Sequence, residues 1–89
     1  SFTLDSSHNG MRYRYTGTAP IQITVPTHLP KGFKFDIEND STGSVLFVAP
    51  SGGAVRSVSG YLRIAVQFGI GRLRNIANKV YHLGGDLSA

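Results

Sequence analysis

Arginine side chains carry the most distinctive chemistry in this sequence. Arg72 and Arg74 are two residues apart in a stretch that is typical of a β-strand, so both project from one face. Arg63 falls in the alternating run just before them. Guanidinium groups bind phosphate, sulfate and carboxylate through paired hydrogen bonds. These three arginines are a candidate surface for an anionic ligand, although a solubilising face, or one that forms salt bridges between chains, explains them too.

A second basic stretch alternates arginine with tyrosine. Arg12 and Arg14 fall on one side of a predicted strand, and Tyr13 and Tyr15 fall on the other. The combination resembles the basic and aromatic surface of proteins that bind single-stranded nucleic acid. The interpretation we favour is a strand with core-facing tyrosines and exposed arginines.

Three carboxylates at a spacing of two are the only acidic cluster. Asp36, Glu38 and Asp40 would project from one face of a strand, about 7 Å apart. Such a set could serve acid/base catalysis or bind calcium. The favoured interpretation is a solvated strand face, because an apolar series alternates with the carboxylates: Phe33, Phe35 and Ile37.

Motifs for catalysis, metals and cofactors are not found. His8, His28 and His82 are scattered and have no partner at metal-ligand spacing. No G-x-S-x-G elbow is present. Gly69 and Gly71 begin a dinucleotide fingerprint, but Arg74 occupies the third glycine position. The sequence therefore predicts a protein that is not an enzyme, with no catalytic residue, no metal site and no cofactor.

Length and composition indicate one small domain. Eighty-nine residues suffice for a modest core and are too few for two domains, so we expect residues 1–89 to form a single unit, with residues 1–10 a candidate linker. Cysteine is absent, so no disulfide is available. No apolar run approaches the roughly 20 residues of a membrane-spanning helix, and we expect a soluble protein. Because the chain begins with Ser1, we expect it to be cut from a longer one.

The net charge of +4 arises in the last third of the chain. Residues 56–89 hold five basic residues and one acidic residue, whereas basic and acidic residues balance in residues 1–55. A basic surface favours acidic partners such as nucleic acid or anionic glycans.

Hydrophobic alternation predicts an all-β fold. Short alternating runs recur about every 8–12 residues between Gly, Pro and Asn, which is typical of a small antiparallel β-sandwich or barrel of about 7–9 strands. The longest alternation, residues 61–68, is expected to open a three-strand C-terminal meander that ends at Gly84. Asn9-Gly10 and residues 39–43 have the composition of hairpin turns. A helix over residues 73–80 also fits the apolar spacing, but it lacks an N-cap, and a strand is favoured.

Val45 to Ala49 is apolar on both strand faces, so it should lie inside the sheet stack or against a neighbouring chain. A cysteine-free sandwich of this size has little core and exposed sheet edges. We therefore expect a homo-oligomer, most simply a trimer. Its candidate interface residues are Val45, Phe47, Tyr61, Tyr13 and Tyr15.

From Ile21 onward the sequence resembles the small β domain found near the C-termini of tailed-bacteriophage virion proteins, chiefly tail fibres and related appendage or decoration proteins. The resemblance is carried by strand and turn segments in order: residues 21–26, residues 29–33, residues 42–45, Ser51-Gly52-Gly53, Ser59-Gly60-Tyr61-Leu62 and Leu83-Gly84-Gly85-Asp86-Leu87. The chain departs from the family in the aromatic residue that precedes the final Gly-Asp, where Tyr81 is the nearest.

The resemblance implies a structural, trimer-forming domain without catalytic activity, with Ala89 as the natural C-terminus. It implies a place in the virion, on the tail or the capsid surface, with other virion proteins as partners. The expected function is host attachment as part of a tail fibre or appendage, with a host-surface glycan or protein as a further partner. The alternatives are a capsid decoration protein that binds the viral shell and, with less support, a nucleic-acid-binding β-barrel.

Overall fold

A computed structural model describes all of residues 1–89, and 47% of them lie in strands. The all-β prediction is confirmed. Two single-turn 3-10 helices, Ser6–His8 and Val58–Gly60, are the only helical segments, and neither is long enough to cross a membrane. The nine strands are β1 (Phe2–Thr3), β2 (Met11–Tyr15), β3 (Ile21–Thr24), β4 (Lys34–Asn39), β5 (Val45–Val48), β6 (Ala54–Arg56), β7 (Arg63–Ile64), β8 (Gly69–Ala77) and β9 (Val80–Gly85).

The strands form two sheets, one of four strands in the order β1-β3-β5-β7 and one of five in the order β2-β4-β8-β9-β6. Pairing is mixed, where antiparallel pairing was predicted. The pairs β1–β3, β3–β5, β2–β4 and β6–β9 are parallel, and β4–β8, β5–β7 and β8–β9 are antiparallel. Parallel pairs arise because the chain crosses from one sheet to the other between successive strands.

The core lies between the two sheets and is made by the inward half of each alternation. Phe35 and Ile37 on β4 and Leu73 on β8 face Ile23 on β3 and Phe47 on β5, and all five are at most 1% exposed. Twelve apolar residues are buried in one cluster. Burial of this kind contributes about 1.5–3 kcal/mol for each large side chain, so the alternating apolar positions account for the fold.

The C-terminal meander is only partly as predicted. β8 and β9 pair as an antiparallel hairpin across Asn78 and Lys79, with a bulge between residues 75 and 77. The strand prediction for residues 73–80 is confirmed. The preceding run, residues 61–68, is not a long strand, since only Arg63 and Ile64 pair. Ile64 is buried, whereas Val66 and Phe68 are 57% and 67% exposed.

Both predicted hairpin turns prove to be connections of another kind. Asn9-Gly10 leads into β2, whose partner is β4 rather than β1. Residues 39–43 join β4 to β5, which lie in different sheets. The turn residues bend the chain as expected, but the strands on either side do not pair with each other.

Buried Asn39 holds this crossing between the sheets. Its side-chain amide donates to the carbonyl oxygens of Gly43 and Ile64, each at 3.1 Å, and its side-chain oxygen accepts from the backbone N–H of Ser41 at 3.2 Å. Its backbone oxygen accepts from the N–H of Phe68 at 2.6 Å. One polar side chain therefore fixes two loops that are far apart in sequence.

Candidate binding surface on the five-stranded sheet

The outward face of the five-stranded sheet collects most of the basic side chains, and we call it the basic face. Strand register places its members. Arg12 on β2, Asp36 on β4 and Arg72 on β8 lie side by side. The next row consists of Lys34, Arg74, His82 and Arg56. On the other side of the Arg12 row, Arg14 lies beside Glu38.

Each basic side chain points outward because its neighbours in sequence point inward. Phe35 and Leu73 are buried, so Lys34, Arg72 and Arg74, which flank them on β4 and β8, must face solvent. Arg12, Lys34, Arg56 and Arg72 are exposed and form no ion pair. Four free cations on one sheet face give a surface that attracts anions.

Two ion pairs set the orientation of the remaining arginines. Arg74 donates to Asp36 at 2.8 Å, with side chains 38% and 31% exposed. Arg14 pairs with Asp40, whose side chain is only 6% exposed. A partly exposed pair such as Arg74–Asp36 contributes at most about 1 kcal/mol to stability, so it positions the guanidinium group more than it stabilises the fold. Arg14 is itself 70% exposed, and its pair with Asp40 holds the guanidinium group at the edge of the face.

Glu38 and Asp40 form a pair of interacting carboxyl groups at the edge of the basic face. A hydrogen bond between the two groups, with the proton on Glu38, raises the pKa of Glu38 above its ordinary 4.5, and the negative charge of Asp40 adds to the rise. The same hydrogen bond, together with the one from Arg14, lowers the pKa of Asp40 below 3.8. Arg14 accordingly stays charged, since bonding to Asp40 raises its pKa. Mild acid therefore neutralises Glu38 first and makes the face more positive.

Six basic residues and three carboxylates share the face, which leaves about three net positive charges when His82 is neutral. No group of three or more His, Asp or Glu residues is placed to hold a metal ion. A broad face of spaced guanidinium groups is suited to binding an extended polyanion, since each arginine can engage one carboxylate, sulfate or phosphate group.

The structure brings together only two of the three predicted anion-binding arginines. Arg72 and Arg74 share the basic face as expected. Arg63 lies on β7 in the four-stranded sheet, paired with Leu46, and so belongs to a different surface. The expectation that Arg63 lies beside them fails because residues 61–68 do not continue as a strand of the meander.

Lys34 and Arg56 belong to the basic face but were not among the predicted site residues. Lys34 could have been found, because it alternates with Phe33 and Phe35. Arg56 could not, because only the parallel pairing of β6 with β9 places it beside His82.

The five predicted interface residues do not share one exposed surface. Val45 and Phe47 are 0% and 1% exposed, so these two side chains face the chain's own core and are not available to a second copy. Tyr13 and Tyr15 are half-buried and pack against the core, and Tyr61 is 37% exposed. The outward half of the apolar run on β5 is Leu46 and Val48, both partly exposed on the four-stranded sheet.

Comparison of the chain with known proteins identifies no similar protein. No protein-family model matches the chain, and searches of curated proteins and of solved structures give no match.

Proposed function

We propose that this chain is a non-enzymatic domain of a tailed-phage virion protein, of tail-fibre or appendage type, that helps attach the particle to its host. In this proposal the basic face binds an anionic glycan of the bacterial surface. The observation that carries the binding role is the clustering of four unpaired cations on one sheet face. The phage assignment is supported by the order of strand and turn segments from Ile21 onward, and the all-β fold is compatible with it.

The position of the tyrosines favours a glycan over single-stranded nucleic acid. Binders of single strands stack bases on exposed aromatic rings beside their basic groups. Here Tyr13 and Tyr15 alternate with the arginines but lie on the inward side of β2, and the Tyr13 ring lies 6.2 Å from that of buried Phe35. The basic face has no Phe, Tyr or Trp, and the small imidazole of His82 is its only aromatic ring.

Binding assays with two polyanions distinguish an anionic glycan from single-stranded nucleic acid as the ligand. The domain should be retained on immobilised polygalacturonate at low salt and should bind a single-stranded oligonucleotide of equal charge more weakly. Equal or tighter retention on the oligonucleotide would favour the nucleic-acid function and contradict the glycan proposal.

Gold labelling of phage particles tests the virion assignment. An antibody against residues 1–89 should label the tail of particles made from the same genome. Label on the head shell would favour a decoration protein, and particles without label would contradict a virion role.

The proposed homotrimer requires an interface other than the buried half of β5. Leu46 and Val48 give the four-stranded sheet a partly apolar outer face, and Val66 and Phe68 form an exposed apolar loop. Light scattering should report three times the mass of one chain, and Leu46→Lys should lower the mass to that of one chain. His82→Lys, which adds a lysine to the five-stranded sheet instead, serves as the control and should remain a trimer. A wild-type monomer at micromolar concentration would contradict the trimer.

A further inference from the structure

A cleft of about 740 Å³ lies at one end of the molecule, between the loop that follows β3 and the turn of the β8–β9 hairpin. Its volume falls in the range of about 300–1,000 Å³ that is usual for small-molecule sites. Ten residues line it, all of them within residues 27–32 and 75–79, and none belongs to the basic face.

The charge of the cleft has one sign. Lys31 comes from the loop wall and Lys79 from the hairpin wall, and neither is in an ion pair. None of the five acidic residues of the chain lines the cleft. A small anion entering between the two walls meets cations on both sides and no competing carboxylate, which favours binding of a negatively charged ligand.

The remaining lining has the polar and apolar groups that recognise a sugar ring. Asn78 and Thr27 offer amide and hydroxyl groups that can donate and accept hydrogen bonds as sugar hydroxyls require, and Asn75 offers its side-chain oxygen as an acceptor. Leu29 and Ile76 offer apolar surface for the C–H side of a ring, and Ile76 is 53% exposed without such a partner. Phe, Tyr and Trp are absent from the lining, and the small imidazole of His28 is its only aromatic ring, so the cleft offers little surface on which a nucleobase can stack.

Both walls are fixed before any ligand binds. The hydroxyl of buried Tyr81 donates to the Pro26 carbonyl at 3.1 Å and anchors the start of the loop. The Asn75 side-chain amide donates to the carbonyl of Ala77 at 3.0 Å and more weakly to that of Val80 at 3.4 Å, which stiffens the hairpin turn. A site held in shape by such bonds loses less entropy when it binds a ligand.

We propose that this cleft binds an acidic saccharide, with Lys31 and Lys79 holding its anionic group and the asparagines and Thr27 its hydroxyls. The inference does not depend on the phage assignment or on the basic face. Carboxylated and phosphorylated sugars share the required chemistry, so the probes must distinguish them.

Two-dimensional amide NMR of the 89-residue chain tests the proposal with galacturonate, glucose 6-phosphate and uncharged galactose as probes. One of the two anionic sugars should shift the amides of residues 27–32 and 75–79 in a saturable manner, and the tighter one identifies the anionic group. Galactose should bind at least about tenfold more weakly. Equal binding of galactose, or saturable shifts confined to other residues, would overturn the proposal, as would the absence of any shift.

Matched lysine variants locate the anion. The double variant Lys31→Gln, Lys79→Gln should weaken binding of the anionic sugar at least about tenfold, whereas Lys34→Gln, which removes one charge from the basic face, should not change it. Equal loss per charge removed in the two variants would indicate an effect of net charge alone and contradict the cleft. Arg72→Gln separates the two proposals, because it should reduce retention on polygalacturonate and leave saccharide binding in the cleft unchanged.

Discussion

Replacing Asn39 by alanine is the sharpest test of how the two sheets are joined. The change removes two donated hydrogen bonds, to Gly43 and Ile64, and the bonds accepted from the N–H and hydroxyl of Ser41. Asn39 is 0% exposed, so water does not simply replace the lost partners. Each buried hydrogen bond contributes about 1 kcal/mol net, and a buried polar group left without a partner costs more.

The sum is a loss of about 3–4 kcal/mol, a large share of the 5–15 kcal/mol that stabilises an ordinary domain. For a chain of this size each kcal/mol lowers the melting temperature by roughly 4–8 °C, so Asn39→Ala should lower it by about 15 °C or more. Thermal unfolding followed by circular dichroism gives the shift, and urea unfolding gives the free energy.

Two further variants calibrate the result. Ser41→Ala removes the bond that the hydroxyl donates to Asn39 and the bond that it accepts from the N–H of Gly43, and should cost about 2 kcal/mol, which keeps the test informative if Asn39→Ala does not fold. Asn78→Ala removes an exposed asparagine and should change stability by less than about 0.5 kcal/mol. A loss below about 1 kcal/mol for Asn39→Ala would refute the reasoning, because the loops would then be held by other contacts.

Three further predictions concern charge, backbone and the cleft. Because the folded-state pKa of Glu38 is raised above 4.5, its carboxylate gains a proton as the pH falls towards that pKa, and retention on dextran sulfate should strengthen between neutral pH and about pH 5. The test uses a His82→Gln background, which removes the histidine of the same face. In this background Glu38→Gln should abolish the pH dependence of retention. An unchanged pH profile would contradict the claim that protonation of Glu38 causes it. Phe68 is 67% exposed at a φ of 69°, a conformation that costs a non-glycine residue about 1 kcal/mol, so Phe68→Gly should leave the melting temperature equal or higher. A large destabilisation would mean that the Phe68 side chain is packed, either within the chain or against a second copy in the proposed trimer. Tyr81→Phe should cost about 1 kcal/mol in urea unfolding, through loss of the bond to Pro26, and no loss would show that this bond does not anchor the loop.

Local alternation was enough to predict most of the strands. Phe33, Phe35 and Ile37 are all buried, and Lys34 between them is exposed, as the spacing indicates. Arg72 and Arg74 share a face for the same reason. Period-two spacing decides which side chains point together, and it depends only on neighbouring residues.

The features of the fold that the sequence could not predict depend on contacts between residues that are far apart in the chain. Residues 61–68 alternate as well as any strand, yet the chain turns at Val66 because Gly69 donates back to its carbonyl and Asn39 holds the backbone at Phe68. Arg12 and Arg72 share a face only because β4 lies between β2 and β8. No feature of the local sequence predicts the parallel pairing of β2 with β4. The predictions that failed are therefore those that depend on which strands are neighbours in a sheet. The same order of strands decides which residues share the basic face.

The same limitation explains the prediction for β5. A run that is apolar on both faces predicts burial on both, but only Val45 and Phe47 point between the sheets. Leu46 and Val48 remain partly exposed on the outer face of the four-stranded sheet. The prediction that Val45 and Phe47 contact a neighbouring chain is wrong for these two residues, because both are buried in the core of their own chain.

Salt-dependent retention on polygalacturonate, measured with matched arginine variants, tests most directly whether the basic face is the binding surface. The double variant Arg12→Gln, Arg72→Gln removes two unpaired cations from the face, whereas Arg63→Gln removes a cation from the other sheet. Wild-type retention should fall steeply between about 50 and 200 mM salt, and the double variant should bind at least about tenfold more weakly, with a shallower salt dependence. Arg63→Gln should behave like wild type. If Arg63→Gln weakens binding as much per charge removed as the double variant does, attraction follows net charge alone and the basic face is not the site.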